Sequence, residues 1–111
     1  MAIDLVNLPS TILRKYNAEA GTNFRAMREA LVKAGPLGAK TCELIIIASF
    51  ATVGFEDSFK SHALRALMAG ISKEEIEHAV LVTLGATAAL ATVTNALGWI
   101  VEADTEFRKT E

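Results

Sequence analysis

A carboxylate, a hydroxyl and an imidazole occur close together in the sequence, on the two sides of an uncharged apolar segment. Glu43 precedes an uncharged apolar segment at 44–55, and Ser58 and His62 follow that segment. An imidazole titrates near neutral pH and a carboxylate can orient it, so Glu43 and His62 are the minimum pair for general acid–base chemistry. Ser58 and His62 are four residues apart and would share one helix face. Only the tertiary fold can bring Glu43 to them.

Each of these residues also has an ordinary structural interpretation. Glu43 suits the first turn of a helix, where the helix dipole favours a negative charge. His62 could be a partly buried histidine with one backbone partner, and Ser58 a first-turn hydroxyl. Cys42, the single cysteine, suits a buried helix position, because a reactive thiol needs a resolving partner or a lowered pKa.

No group of cysteines and histidines stands at metal-ligand spacing, so the sequence predicts no metal site and no cofactor. His78 is the other histidine and is expected on the surface or at an interface. The Gly-Pro-Leu-Gly segment at 35–38 lacks the lysine of a phosphate-binding loop and is interpreted as a turn.

Glycines and capping residues divide the chain into helices that must position these groups. The run at 39–53 is too long for a strand, so its isoleucines predict a helix buried on most sides. Ser72 with Glu75 forms a capping-box pattern. The predicted helices run from Pro9 or Ser10 to Gly21, from Thr22 or Asn23 to Ala34, over 39–53, over 56–69, from Ser72 to a weak break at 85–88, and from there to about Phe107. No segment alternates as a strand would, so we predict an all-α domain of five or six helices.

Composition narrows the class of protein. A chain of 111 residues suits one domain, and 51% hydrophobic residues with 22% charged residues exclude disorder as its main state. The net charge of −2, with interspersed charges, predicts no nucleic-acid partner. The lone cysteine is typical of a cytoplasmic protein.

One charge-free run, the 23 residues from Ala79 to Val101, is long enough to span a bilayer. It contains several threonines and glycines and has no basic residue at either end. We therefore expect no membrane association, and burial inside an oligomer explains the run better.

A series of short motifs carries a family resemblance over about 39–101. These are KTCELI at 40–45, Gly54, HALRALMAG at 62–70, SKEEI at 72–76 and NAL at 95–97. In their order and spacing the chain resembles the carboxymuconolactone decarboxylase and alkylhydroperoxidase D superfamily. The resemblance implies an alkylhydroperoxidase D-like helical bundle that assembles as a trimer or hexamer. It also implies a single domain over 1–111, with N-terminal helices at 1–38 and the family core at 39–107.

The peroxidase branch of this superfamily has a glutamate, eleven residues, a Cys-x-x-Cys pair, three residues and a histidine. Glu43 and His62 match the glutamate and the histidine, but Phe55 and Ser58 stand at the cysteine positions. Reduction of a peroxide by a dithiol needs a thiolate and a resolving thiol. The chain is thus expected to lack thiol peroxidase chemistry.

The decarboxylase branch also lacks these cysteines and keeps the histidine. The resemblance implies a lyase acting on a small carboxylated lactone or similar metabolite, with His62 as proton donor or charge stabiliser and Glu43 tuning it. Ser58 would hold a substrate oxygen, and Phe55 and Phe59 would line the pocket. Two alternatives remain: a non-catalytic oligomeric protein that binds a small molecule, and a residual redox protein using Cys42.

Overall fold

The computed structural model describes residues 3–5 and 8–110. Within these ranges the chain forms six helices and no strand, apart from an isolated bridge between Leu84 and Ala88. The helices are α1 (Pro9–Tyr16), α2 (Ala18–Val32), α3 (Ala39–Val53), α4 (Glu56–Met68), α5 (Lys73–Leu81) and α6 (Leu90–Arg108). The predicted all-α class is confirmed.

The chain divides into two compact units. The N-terminal unit comprises the described residues from 4 to 42, and the C-terminal unit comprises Ile3 and residues 43–110. The prediction that residues 1–111 act as a single domain stays a prediction.

In the N-terminal unit, α1 packs against α2, and the connection between them differs from the predicted one. Asn17, not Thr22 or Asn23, caps α2, accepting a hydrogen bond of 2.8 Å from the backbone N–H of Ala20. Gly21, predicted to end the first helix, lies inside α2 and is buried. A Cβ atom at Gly21 would lie 2.0 Å from Arg14 Cγ. The glycine is needed for close helix packing rather than for a helix stop.

The hydrophobic core lies in the C-terminal unit, where α4 and α5 both pack against α6. Ile47 and Ala51 of α3 are buried in it, together with Phe59 of α4, Ile76 of α5 and Ile100 of α6. The prediction that α3 is buried on most sides was wrong for the isolated chain, because Ile45 and Val53 are more than half exposed.

The capping box at the start of α5 is confirmed. Ser72 Oγ accepts from the N–H of Glu75, and Glu75 Oε1 accepts from the N–H of Ser72. The charge-free run at 79–101 is split, since α5 ends at Leu81 and α6 begins only at Leu90. Among the described residues no helix is both long and apolar enough to cross a membrane.

Candidate functional site

The turn between α3 and α4 determines where the site residues begin. Gly54 adopts a φ of 76°, a left-handed conformation that glycine adopts without a steric cost. Its N–H donates to Ala51 O at 3.2 Å, and the N–H of Phe55 donates to Phe50 O at 3.1 Å. This is the Schellman arrangement that ends a helix. It lets α4 start at Glu56, two residues after the glycine.

Glu43 of α3 and His62 of α4 are brought together by this arrangement. Glu43 Oε1 lies 2.8 Å from His62 Nδ1, within hydrogen-bond distance. The two side chains are 28% and 24% exposed, so the pair is partly shielded from water and still accessible. A contact that sequence spacing could only suggest is therefore present.

The second ring nitrogen of His62 reaches the surface. Nε2 makes no hydrogen bond with the described residues, and no buried side-chain nitrogen or oxygen among them lacks a partner. Nε2 must therefore be exposed to solvent. An ionised Glu43 accepts hydrogen bonds and cannot donate them, so Nδ1 carries the proton in the neutral ring. The lone pair of Nε2 then lies at a solvent-accessible position.

One phenylalanine contacts His62, and a second contacts the first. The Phe50 ring lies 5.0 Å from the imidazole, measured between ring centroids, with an interplanar angle of 47°. Phe55, which is 59% exposed, lies 6.4 Å from Phe50 by the same measure. The exposed ring of Phe55 thus continues the aromatic surface that begins at His62.

Ser58 lies one helical turn before His62 on the same face of α4. It is half-buried, and its hydroxyl makes no hydrogen bond to any described residue, so by the same reasoning the hydroxyl is accessible. The predicted role of Ser58 in holding a substrate oxygen stays a prediction.

Phe59 has a different environment from the one expected of a pocket residue. It is fully buried in the core, and its ring packs edge-to-face against Trp99 with centroids 5.5 Å apart. Its burial shows a packing role, and its predicted contact with substrate stays a prediction.

Cys42 and His78 have environments of their own. In the N-terminal unit, Cys42 donates weak hydrogen bonds from Sγ to Leu37 O at 3.6 Å and to Val32 O at 3.7 Å. His78 is exposed on α5. Within the described ranges, no three His, Cys, Asp or Glu side chains form a group that could hold a metal ion.

Two contacts near the site were missed in the sequence. Nothing in the sequence marks Phe50 as a neighbour of His62. Its contact with Phe55 was more predictable, because the residues on the two sides of a helix-ending glycine often make a hydrophobic contact. Lys60 of α4 donates a hydrogen bond to Glu56, and the spacing of four residues on a helix predicts such an ion pair. Its bond of 3.1 Å to Glu102 of α6 depends on the tertiary fold.

The Lys60 ammonium is stabilised in its charged form. Burial alone would lower its pKa, but hydrogen bonds and attraction from Glu56 and Glu102 outweigh that effect. The pKa of Lys60 is therefore raised above its ordinary value of 10.5. This ion group joins α4 to α6 and is not a source of protons near neutral pH.

Comparison with protein families agrees with the motif series. The sequence model of the carboxymuconolactone decarboxylase family matches residues 18–102, well over half of the chain. The matched range includes Glu43, Phe55, Ser58 and His62. A comparison with curated proteins and one with solved structures found no match.

Proposed function

Because the chain belongs to the carboxymuconolactone decarboxylase family, we propose that it is an acid–base lyase acting on a small carboxylated lactone or a similar metabolite. The observation that carries the proposal is the 2.8 Å contact between Glu43 Oε1 and His62 Nδ1. The outward-facing Nε2 supports it, because a proton donor must reach its substrate within hydrogen-bond distance.

The proposed reaction breaks one carbon–carbon bond. The substrate carboxylate leaves as carbon dioxide, and the electron pair of the broken bond remains on the ring as a dienolate. The imidazolium form of His62 gives its Nε2 proton to a carbon of that dienolate. Glu43 stabilises the imidazolium by accepting from Nδ1, and Ser58 donates a hydrogen bond to a substrate oxygen. His62 then regains a proton from solvent.

Thiol chemistry is not part of the proposal. Phe55 and Ser58 occupy the positions of a dithiol, and neither side chain can form a disulfide. Cys42 has no second cysteine to pair with. Replacing Cys42 by alanine is expected to leave lyase turnover unchanged, whereas a residual redox protein would lose its activity.

Turnover by site variants tests the proposal. Purified protein is incubated with a panel of small carboxylated lactones, and carbon dioxide release is measured. His62→Gln keeps a polar side chain but cannot deliver a proton, so the rate should fall by about 100-fold or more. Glu43→Gln should also lower the rate, because the imidazolium loses its counter-charge.

The exposed His78 offers a matched control. His78→Gln removes the other histidine and should leave the rate unchanged. An unchanged rate in His62→Gln would contradict the lyase mechanism. A compound that raises the melting temperature but is recovered unchanged would instead indicate a small-molecule-binding protein, since binding to the native state stabilises it without turnover.

We also propose that the chain self-associates as a trimer or hexamer. Large apolar side chains remain exposed on both units, which favours burial between copies. The cytoplasmic location stays a prediction based on the single cysteine.

A further inference from the structure

We propose that Phe50 is a positioning residue that holds the His62 imidazole in the one orientation in which Nδ1 meets Glu43 and Nε2 faces outward. The inference rests on the proposed function for its purpose, because orientation of the ring matters only if Nε2 serves a ligand. The geometry that supports it does not depend on any substrate.

A single hydrogen bond does not select the orientation of a histidine ring. The torsion that rotates the ring about its bond to Cβ is broad and roughly two-fold, so rotation can exchange Nδ1 for a ring carbon. Glu43 contacts the ring through one atom, Nδ1. A second contact on another part of the ring is needed to restrict this rotation.

Phe50 supplies that second contact. Its centroid distance of 5.0 Å and interplanar angle of 47° are within the range of favourable aromatic pairs, and such pairs contribute beyond simple burial. The Phe50 ring is itself held in place, because it is partly buried and packs against the hydrophobic core. A fixed ring beside the imidazole limits the rotation that the Glu43 contact alone permits.

The backbone of Phe50 adds to this restraint. Phe50 O accepts the hydrogen bond from the N–H of Phe55 that closes α3. The same residue therefore ends one helix and contacts the functional side chain of the next. Its side chain is in register with His62 because the turn at Gly54 starts α4 at a defined residue.

The tautomer of His62 reports on this role directly. In the proposed orientation the neutral ring carries its proton on Nδ1, where Glu43 accepts it. A ring that rotates freely exchanges this contact for others and populates both tautomers. Nitrogen-15 NMR distinguishes the two forms, and His78 supplies an internal reference signal from an exposed ring.

The test compares wild-type protein with Phe50→Leu and Phe50→Tyr at a pH where the imidazole is neutral. We expect a single Nδ1–H tautomer in the wild type, a mixture in Phe50→Leu, and recovery of the single tautomer in Phe50→Tyr, which keeps the ring. Phe50→Met is measured in parallel, because its flexible side chain can fill the space if the leucine variant does not fold.

Phe55→Leu is the matched control. It removes the other ring that contacts Phe50, but no ring contact joins Phe55 to His62, so the single tautomer should persist. A folded Phe50→Leu or Phe50→Met variant with the wild-type tautomer and only a lower melting temperature would overturn the proposal. The absence of lyase turnover would instead overturn the proposed function, and the NMR result would not depend on it.

Discussion

At the residue scale, Glu43 contacts His62, and Phe55 and Ser58 stand where the family resemblance implies a Cys-x-x-Cys pair. Neither a phenyl ring nor a hydroxyl can form a disulfide, so these two positions cannot support dithiol chemistry. The proposed proton transfer uses Glu43 and His62, which lie in contact. Phe55 is exposed, so an apolar ring is accessible at the first of these positions.

Lys60 provides a prediction at this scale, since one ammonium serves two carboxylates. Lys60→Met keeps the apolar stem and removes the charge, so Glu56 and Glu102 lose their shared partner. Both glutamates are about half exposed, so the expected loss of unfolding free energy is about 1 kcal/mol, measured by urea denaturation. Lys109→Met is the control, because Lys109 is mostly exposed and pairs with Glu106 at 3.7 Å; no measurable change is expected.

The pH dependence of the Lys60 effect has a definite sign. The pKa of Lys60 is raised in the folded state, so the amine holds its proton more tightly in the native state than in the unfolded state. Where Glu56 and Glu102 are both ionised, the stability difference between wild type and Lys60→Met should stay constant up to pH 10.5 and shrink as the pH rises through the folded-state pKa. A difference that grows with pH would contradict the assignment.

At the element scale, the end of α3 is the feature that makes the site. Gly54 allows the chain to reverse within two residues, and α4 starts with Glu56 and Asp57, whose charges suit a helix N-terminus. A longer or looser turn would change the register between the two helices. Since one residue rotates a helix by about 100°, such a change would move His62 away from Glu43.

The close contact between α1 and α2 at Gly21 predicts that a larger residue there destabilises the protein. Gly21→Ala places a Cβ atom 2.0 Å from Arg14 Cγ and 2.7 Å from Arg14 Cα, so the backbone of α1 must move. Overpacking of this kind costs about 1–3 kcal/mol. Hydrogen exchange should show faster exchange of the backbone amides of α1 and α2.

Gly98→Ala in α6 is the matched control for this substitution. Apart from its chain neighbours and the backbone of α6 itself, no described atom lies within 4 Å of the added Cβ atom. Alanine is also the better helix former, so stability should rise by about 0.5–1 kcal/mol. Equal protection of α1 and α2 in Gly21→Ala and wild type would refute the close-packing role of Gly21.

At the scale of the whole molecule, large apolar side chains are exposed on both units. Single exposed apolar residues are normal, but contiguous surfaces usually mark an interface. The N-terminal unit buries only Gly21 among the residues of α1 and α2. The exposed large apolar residues include Ile12, Tyr16, Phe24, Met27 and Leu31 of that unit, and Ile45, Val53, Met68, Leu81, Val82, Leu84, Leu90 and Val101 of the C-terminal unit.

Molecular mass in solution tests the proposed self-association. Light scattering should give a mass near three or six times the chain mass of 11.9 kDa. Leu31→Glu and Leu90→Glu each place a charge in one exposed apolar area and should shift the mass downward if that area lies between copies. A wild-type mass of 11.9 kDa would refute self-association.

Local chemistry explains which parts of the structure were predictable. The helical class, the bounds of α3 and the capping box at Ser72 follow from helical run length, glycine stops and side-chain bonds between residues three apart. The wrong prediction that a helix ends at Gly21 also comes from local chemistry, because a glycine in a sequence usually indicates the end of a helix. Its actual function is to admit Arg14 of another helix, which local spacing does not show.

The candidate site, too, was predictable only in part. The sequence by itself determined which groups are present: Glu43, Ser58 and His62, with no dithiol and with motifs that identify the family. Only the tertiary structure decided that Glu43 meets Nδ1, that Phe50 contacts the imidazole, and that Phe59 belongs to the core. The physical reason is that a residue's type determines its possible chemistry, whereas contacts between helices depend on turn geometry and packing that act across many residues at once.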